Sequence, residues 1–267
     1  MNLNITIGQY YPAGSKIHSL DPRTKLLTLL VFIIILFTAT NAIGYIVAAL
    51  SIFAVIKIST VPLKFMLKGL RGVFFIIIFT VVLNVFFVPG ETVLFQLGFL
   101  RVTVEGLFAA GRMASRLVLL IIASSVLTLT TSPIELTDGI EYSLKPFKKI
   151  GVPAHEIAMM MTIALRFIPT LMEETDRIMK AQISRGADFD TGGLMQKAKA
   201  IIPLLVPLFI SAFRRADELA MAMEARCYRG DENRTRMKQL KMTSIDYIFY
   251  GALLLFSICV FGTRFLY

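Results

Sequence analysis

The chain has 267 residues, of which 56% are hydrophobic and only 17% charged, with a mean hydropathy of +0.71. These values exceed those of soluble domains and exclude a disordered or purely aqueous chain. The net charge of +10 fits the basic loop bias of membrane proteins, and no aromatic-interleaved basic patch supports nucleic-acid binding.

Taken in chain order, "MNLNITIGQY" lacks a charged segment followed by an apolar one, so no cleavable leader is expected. The first apolar block, Leu26 to about Ile56, is too long for one crossing and breaks near "TATNAIG". It reads as two tightly linked spans. Its entry, "LDPRTKLL", offers Asp21 as a cap, Pro22 at the first helical position, and Arg23 and Lys25 at a membrane edge. In "VPLKFMLKGLRG", Lys64, Lys68 and Arg71 share one helical face, an interfacial segment leading into a third span at about 73–88. The link that follows, 89–105, sets Arg101 against Glu91 and Glu105.

The fourth helix starts near Thr103 and carries Arg112 and Arg116 one turn apart. Charge at bilayer depth is costly, so both should face protein or snorkel outward. Ser132-Pro133-x-Glu135 has the features of a capping box opening a short helix at about 133–144. Two long helical stretches follow, Pro153 to Ser184 and about Lys197 to Arg226, with Pro169, Pro203 and Pro207 expected to bend them. A fifth span runs from Ile245 to about Phe261.

The two long stretches are not read as spans. The apolar core of the second, 201–213, is short for a crossing. Between Thr130 and Lys241 lie 17 of the 28 basic residues, which places that region on the cytoplasmic side. The resulting fold class is an all-α integral membrane protein. An N-terminal membrane region, 1–131, holds four spans with the N-terminus inside. A cytoplasmic region, 132–242, holds one short and two long amphipathic helices, and 243–267 holds the last span.

Enzyme chemistry finds little support. No P-loop or G-x-S-x-G occurs, and "HEIAM" lacks the second histidine of a zinc helix, the other histidine being His18. Cys227 and Cys259 suggest neither a disulfide framework nor a metal site. The spans are poor in acids, which disfavours the alternative of a self-sufficient secondary transporter or channel. No metal and no cofactor is expected.

The positive signals are the two long-helix endings, Ser184-Arg185-Gly186 and Ala225-Arg226-Cys227. Offset by 41 positions, they also align Asp176 with Asp217 and Ala181 with Ala222. Each arginine could complement a helix dipole, with Gly186 closing the first helix and Cys227 a poor closing residue. Alternatively, each guanidinium presents a rigid fork of donors to an acidic groove on a cytoplasmic partner. Met159, Met160, Met161, Leu165, Ile168 and Met172, with Leu205 and Leu208, offer either core packing or an adaptable apolar contact surface.

With these motifs the chain resembles the transmembrane T component (EcfT) of energy-coupling factor transporters, ATP-driven vitamin and metal importers of the ABC type. The family form of both endings is Ala-Arg-Gly; this chain departs at Ser184 and Cys227 and keeps both arginines. "SKIHSLDPRTKLL" and "TTSPIEL" are also similar to that family. The resemblance implies a non-catalytic subunit in the cell membrane. Two ABC-type ATPases would dock at Arg185 and Arg226, and a substrate-binding S component would rest on the apolar surface of the long helices.

Overall fold

The computed structural model describes residues 10–97, 100–187, 189, 193–230 and 240–265. The helices are α1 (Pro22–Thr38), α2 (Ala42–Ser59), α3 (Leu63–Phe87), α4 (Val104–Thr130), α5 (Pro133–Leu144), α6 (Ala154–Ser184), α7 (Leu194–Ala225) and α8 (Ser244–Phe265). A short 3₁₀ turn, Lys145–Ile150, precedes α6. The chain divides into two units, one of residues 1–143 and 239–267 and one of residues 144–238.

In the first unit, α2, α3, α4 and α8 are long and apolar enough to cross a membrane. The shorter α1, with 17 residues, rises about 25 Å. Of the five expected spans, four are matched by these helices, and α1 falls short of their length. The basic interfacial segment and the third span form one uninterrupted helix, α3. The 89–105 link carries an antiparallel hairpin of β1 (Val93–Leu97) and β2 (Leu100–Thr103), which the all-α expectation did not include. Its Val93, Phe95, Val102 and Thr103 are residue types that favour strands. Thr103 then caps α4, its Oγ1 accepting the Gly106 N–H at 3.0 Å and donating to the Val88 carbonyl at 3.1 Å.

The core of this unit gathers Phe32, Ile35 and Leu36 of α1 with Ala48 and Ile52 of α2, Leu119 of α4, and Phe256 and Val260 of α8. Most other apolar side chains point outward; Phe75 on α3 is 78% exposed. A soluble domain would not tolerate that face, but lipid tails cover it without cost. At Gly69 a Cβ would meet Ser125 Oγ at 2.7 Å, so the missing side chain lets α3 lie close on α4.

A buried polar node ties the ends of the bundle together. Asp246, fully buried at the start of α8, accepts the Asp21 N–H at 2.9 Å, the Thr243 N–H at 2.7 Å and the Thr243 hydroxyl at 2.8 Å. Lys25 Nζ donates to the carbonyls of His18 (3.1 Å) and Thr130 (2.9 Å). The Arg23 guanidinium lies 3.2 Å over the Tyr142 ring of α5. Ser132 and Glu135 exchange the two hydrogen bonds of the expected capping box. The two stretches that resemble the family outside the arginine motifs, 15–27 and 130–136, therefore meet in one place.

Candidate functional site

The second unit is built on α6 and α7, neither of which is among the candidate spans. Three ties join them. Gln182 Nε2 donates to the Pro203 carbonyl at 3.3 Å. Arg215 Nη2 meets Glu174 Oε2 at 2.6 Å. The Tyr228 hydroxyl donates to Met159 Sδ at 3.0 Å and lies 3.4 Å from His155 Nε2. Numbers fall along α6 as they rise along α7, so the two helices run antiparallel.

The first tie has a covalent cause. In an α-helix the N–H of residue 207 would bond the carbonyl of residue 203, but Pro207 has no N–H. Gln182 supplies the missing donor from the neighbouring helix. Pro169 likewise sits inside a continuous α6, and Pro203 inside a continuous α7.

The two helix ends share one closure. At the end of α6, Gly186 N–H donates to Ile183 O (2.9 Å) and Ala187 N–H to Gln182 O (3.0 Å). At the end of α7, Cys227 N–H donates to Glu224 O (2.8 Å) and Tyr228 N–H to Met223 O (3.0 Å). This is the Schellman pair of bonds, with Arg185 and Arg226 as the C-caps. Gly186 has φ 85° and Cys227 φ 56°, both left-handed. Cys227 thus does what a poor closing residue was not expected to do, in a conformation that opposes an L side chain by about 1 kcal/mol.

Ser184, Arg185, Gly186, Ala225, Arg226 and Cys227 are all exposed. Neither arginine side chain makes a hydrogen bond or ion pair among the described residues. Because the helices are antiparallel, the two guanidiniums stand at opposite ends of the pair. At 1.5 Å per residue that separates them by about 40 Å.

The apolar candidates divide. Met160 (59% exposed), Ile168 and Leu205 lie at the surface, while Met159, Met161, Leu165, Met172 and Leu208 are half-buried. Met159 is engaged by Tyr228 within the unit. Ile163, Phe167, Leu171, Leu219 and Met223 line an apolar groove of about 310 Å³ between the helices, with Arg215 also in its wall. Within this unit α7 exposes an apolar strip: Ile201, Ile202, Leu205, Val206, Phe209, Ile210 and Phe213. Sequence reasoning named only Leu205 from that strip. Its signal was the spacing of "IIPLLVPLFISAF", which repeats at one helical turn.

The family described as cobalt transport protein (CbiQ) matches residues 13–237. An energy-coupling factor transporter transmembrane protein EcfT of Thermosediminibacter oceani is 58% identical over 263 residues, 98% of this chain and 99% of that protein. The chain belongs to the EcfT family. A second member, from Clostridium kluyveri, is 60% identical over 246 residues, 92% of this chain and 91% of its own length. The EcfT protein of Bacillus subtilis is 47% identical over 261 residues, 98% of both chains. Membership in the EcfT family makes this a multi-pass membrane protein and the transmembrane component of an energy-coupling factor transporter, not a catalytic enzyme.

The pairing of Glu174 with Arg215 was not foreseen. It joins two segments far apart in the chain, and no local pattern in the sequence announces it.

Proposed function

We propose that this chain is the coupling scaffold of an ATP-driven importer of vitamins or other micronutrients. Two ABC-type ATPases dock on it from the cytoplasm, one at Arg185 and one at Arg226, and those partners hydrolyse ATP. Movement of the ATPases passes along α6 and α7 to a substrate-binding S component. That component rests on the apolar faces of the long helices, Met160, Ile168 and the α7 strip from Ile201 to Phe213. The chain lies in the cell membrane with its N-terminus inside, and residues 132–242 form the cytoplasmic coupling region between membrane regions 1–131 and 243–267.

The observation that carries this reading is the pair of exposed arginines, without partners among the described residues, in matching helix closures about 40 Å apart. A guanidinium used only to complement a helix dipole needs no such duplication. Two copies at opposite ends of an antiparallel pair suit two copies of one type of partner. A rigid closure matters here, because it fixes where the planar fork points before the partner arrives.

The test is charge reversal. Arg185→Glu and Arg226→Glu place a carboxylate opposite an acidic groove, and like charges at an interface cost several kcal/mol. Uptake of labelled vitamin by cells carrying either variant should fall to background. Wild-type uptake by the double variant sinks the proposal.

A further inference from the structure

The sequence raised a question about Arg112 and Arg116 that the coupling function leaves unused. They occupy one face of α4, one turn apart. The structure places the deeper one. Arg116 Nη2 donates to the Tyr45 hydroxyl at 2.8 Å and approaches the Ala39 carbonyl at 3.5 Å. Its guanidinium carbon lies 5.1 Å from the centre of the Phe37 ring. Arg116 therefore sits at the level of the turn between α1 and α2.

That turn fixes a depth. Irregular backbone facing lipid belongs at the headgroups, where water satisfies its polar groups. Thr40 is exposed there, and Asn41 Nδ2 donates to the Thr263 carbonyl of α8 at 2.9 Å, so two chain segments reach the same level. Arg116 thus lies level with that turn. Arg112 is exposed and stands about 6 Å further along α4 towards its first residue.

Among the described residues no carboxylate meets either charge. Neither arginine forms an ion pair among the described residues, and Arg116 Nε is buried without an acceptor. Two guanidiniums one turn apart also repel each other. One anion between them would remove both costs. At this depth the abundant anion is phosphate, whose oxygens match the donor fork of arginine.

We propose that Arg112 and Arg116 hold the phosphodiester of a membrane phospholipid against the α1–α2 turn. Arg116, steered by Tyr45 and Phe37, supplies the fixed donor, and Arg112 closes over the phosphate from outside. The acyl chains then lie along the exposed apolar residues Ile34 and Phe37 of α1.

The experiment uses the full chain, delipidated in a neutral detergent, with native mass spectrometry as the readout. The probes are phosphatidylglycerol, diacylglycerol with the same chains, and inorganic phosphate. Wild type should retain phosphatidylglycerol, and Arg112→Gln should need about tenfold more lipid for the same occupancy. Arg112 has no hydrogen bond or ion pair in the described fold to lose, so this variant tests the site without disturbing folding. Arg116→Gln should show the same loss provided its melting temperature is unchanged. Equal retention by wild type and Arg112→Gln overturns the site. Retention of diacylglycerol equal to phosphatidylglycerol overturns the role of the phosphate. Competition by millimolar inorganic phosphate as effective as added lipid overturns the lipid as its source.

Discussion

Removing the Glu174–Arg215 pair tests whether α6 and α7 are held in register by a specific contact. The pair is short, 2.6 Å, and the side chains are 23% and 33% exposed. Fully exposed ion pairs contribute about 0.2–1 kcal/mol, and hydrogen bonds to charged groups in drier surroundings about 1.5–3 kcal/mol. Partial exposure puts this one between, at about 1.5 kcal/mol. In a double-mutant cycle, Glu174→Gln and Arg215→Gln should each destabilise, and the double variant should cost less than their sum by that amount. For a chain of this size, 1.5 kcal/mol corresponds to about 3–6 °C in melting temperature. Differential scanning fluorimetry of the four proteins in one detergent resolves a shift of that size. High salt should shrink the coupling only partly, since burial shields the pair. Strict additivity would refute the reasoning, because the pair would then contribute nothing to holding the helices in register.

Two further predictions concern single residues. Cys227→Gly relieves the left-handed strain at φ 56° and should be neutral to about 1 kcal/mol stabilising, while Gly186→Cys, at φ 85°, should cost about 1 kcal/mol; thermal melts of both variants check the pair, and a destabilised Cys227→Gly would contradict the shared closure. His18 gives a pH dependence: its Nε2 must donate to the Tyr11 carbonyl at 2.9 Å, so in the neutral ring Nδ1 accepts from Ser15 Oγ at 2.6 Å. Partial burial is the main cause lowering the His18 pKa, and Lys25 lowers it further, while the Tyr11 carbonyl and Glu135 oppose them. The unfolded chain then takes up the proton more readily than the folded one. The stabilisation is complete above about pH 6.5 and is lost as the pH falls through the lower folded value. The melting temperature should drop between pH 7.5 and 5.5 by more in wild type than in His18→Gln; identical profiles would remove His18 from the account.

The helices were legible because their punctuation is local. Asp21-Pro22, Thr103 and Ser132-Pro133-x-Glu135 each cap the helix that follows, and those bonds lie within a few residues. The hairpin at 93–103 escaped because its strands are short and lie between two spans, where a loop is the ordinary expectation. The polar node could not be read from the sequence. Asp246 looks like a charge at a span end, and only folding brings it 225 positions back to the Asp21 N–H. The arginine ends were visible as a repeated pattern of small residues around a cation. Their antiparallel placement was not, since it depends on Gln182, Glu174 and Tyr228 reaching across to the other segment. Cys227 shows a further limit: residue preference argued against a left-handed closure, and the two backbone bonds from Cys227 and Tyr228 outweigh that preference.

The central claim is that each arginine end receives one ATPase. Native mass spectrometry of the purified transporter complex counts the ATPase subunits bound to one copy of this chain. The account gives two for wild type, one for Arg185→Glu, one for Arg226→Glu and none for the double variant. Two ATPase subunits on the double variant, with the chain still folded by its melting temperature, would contradict it.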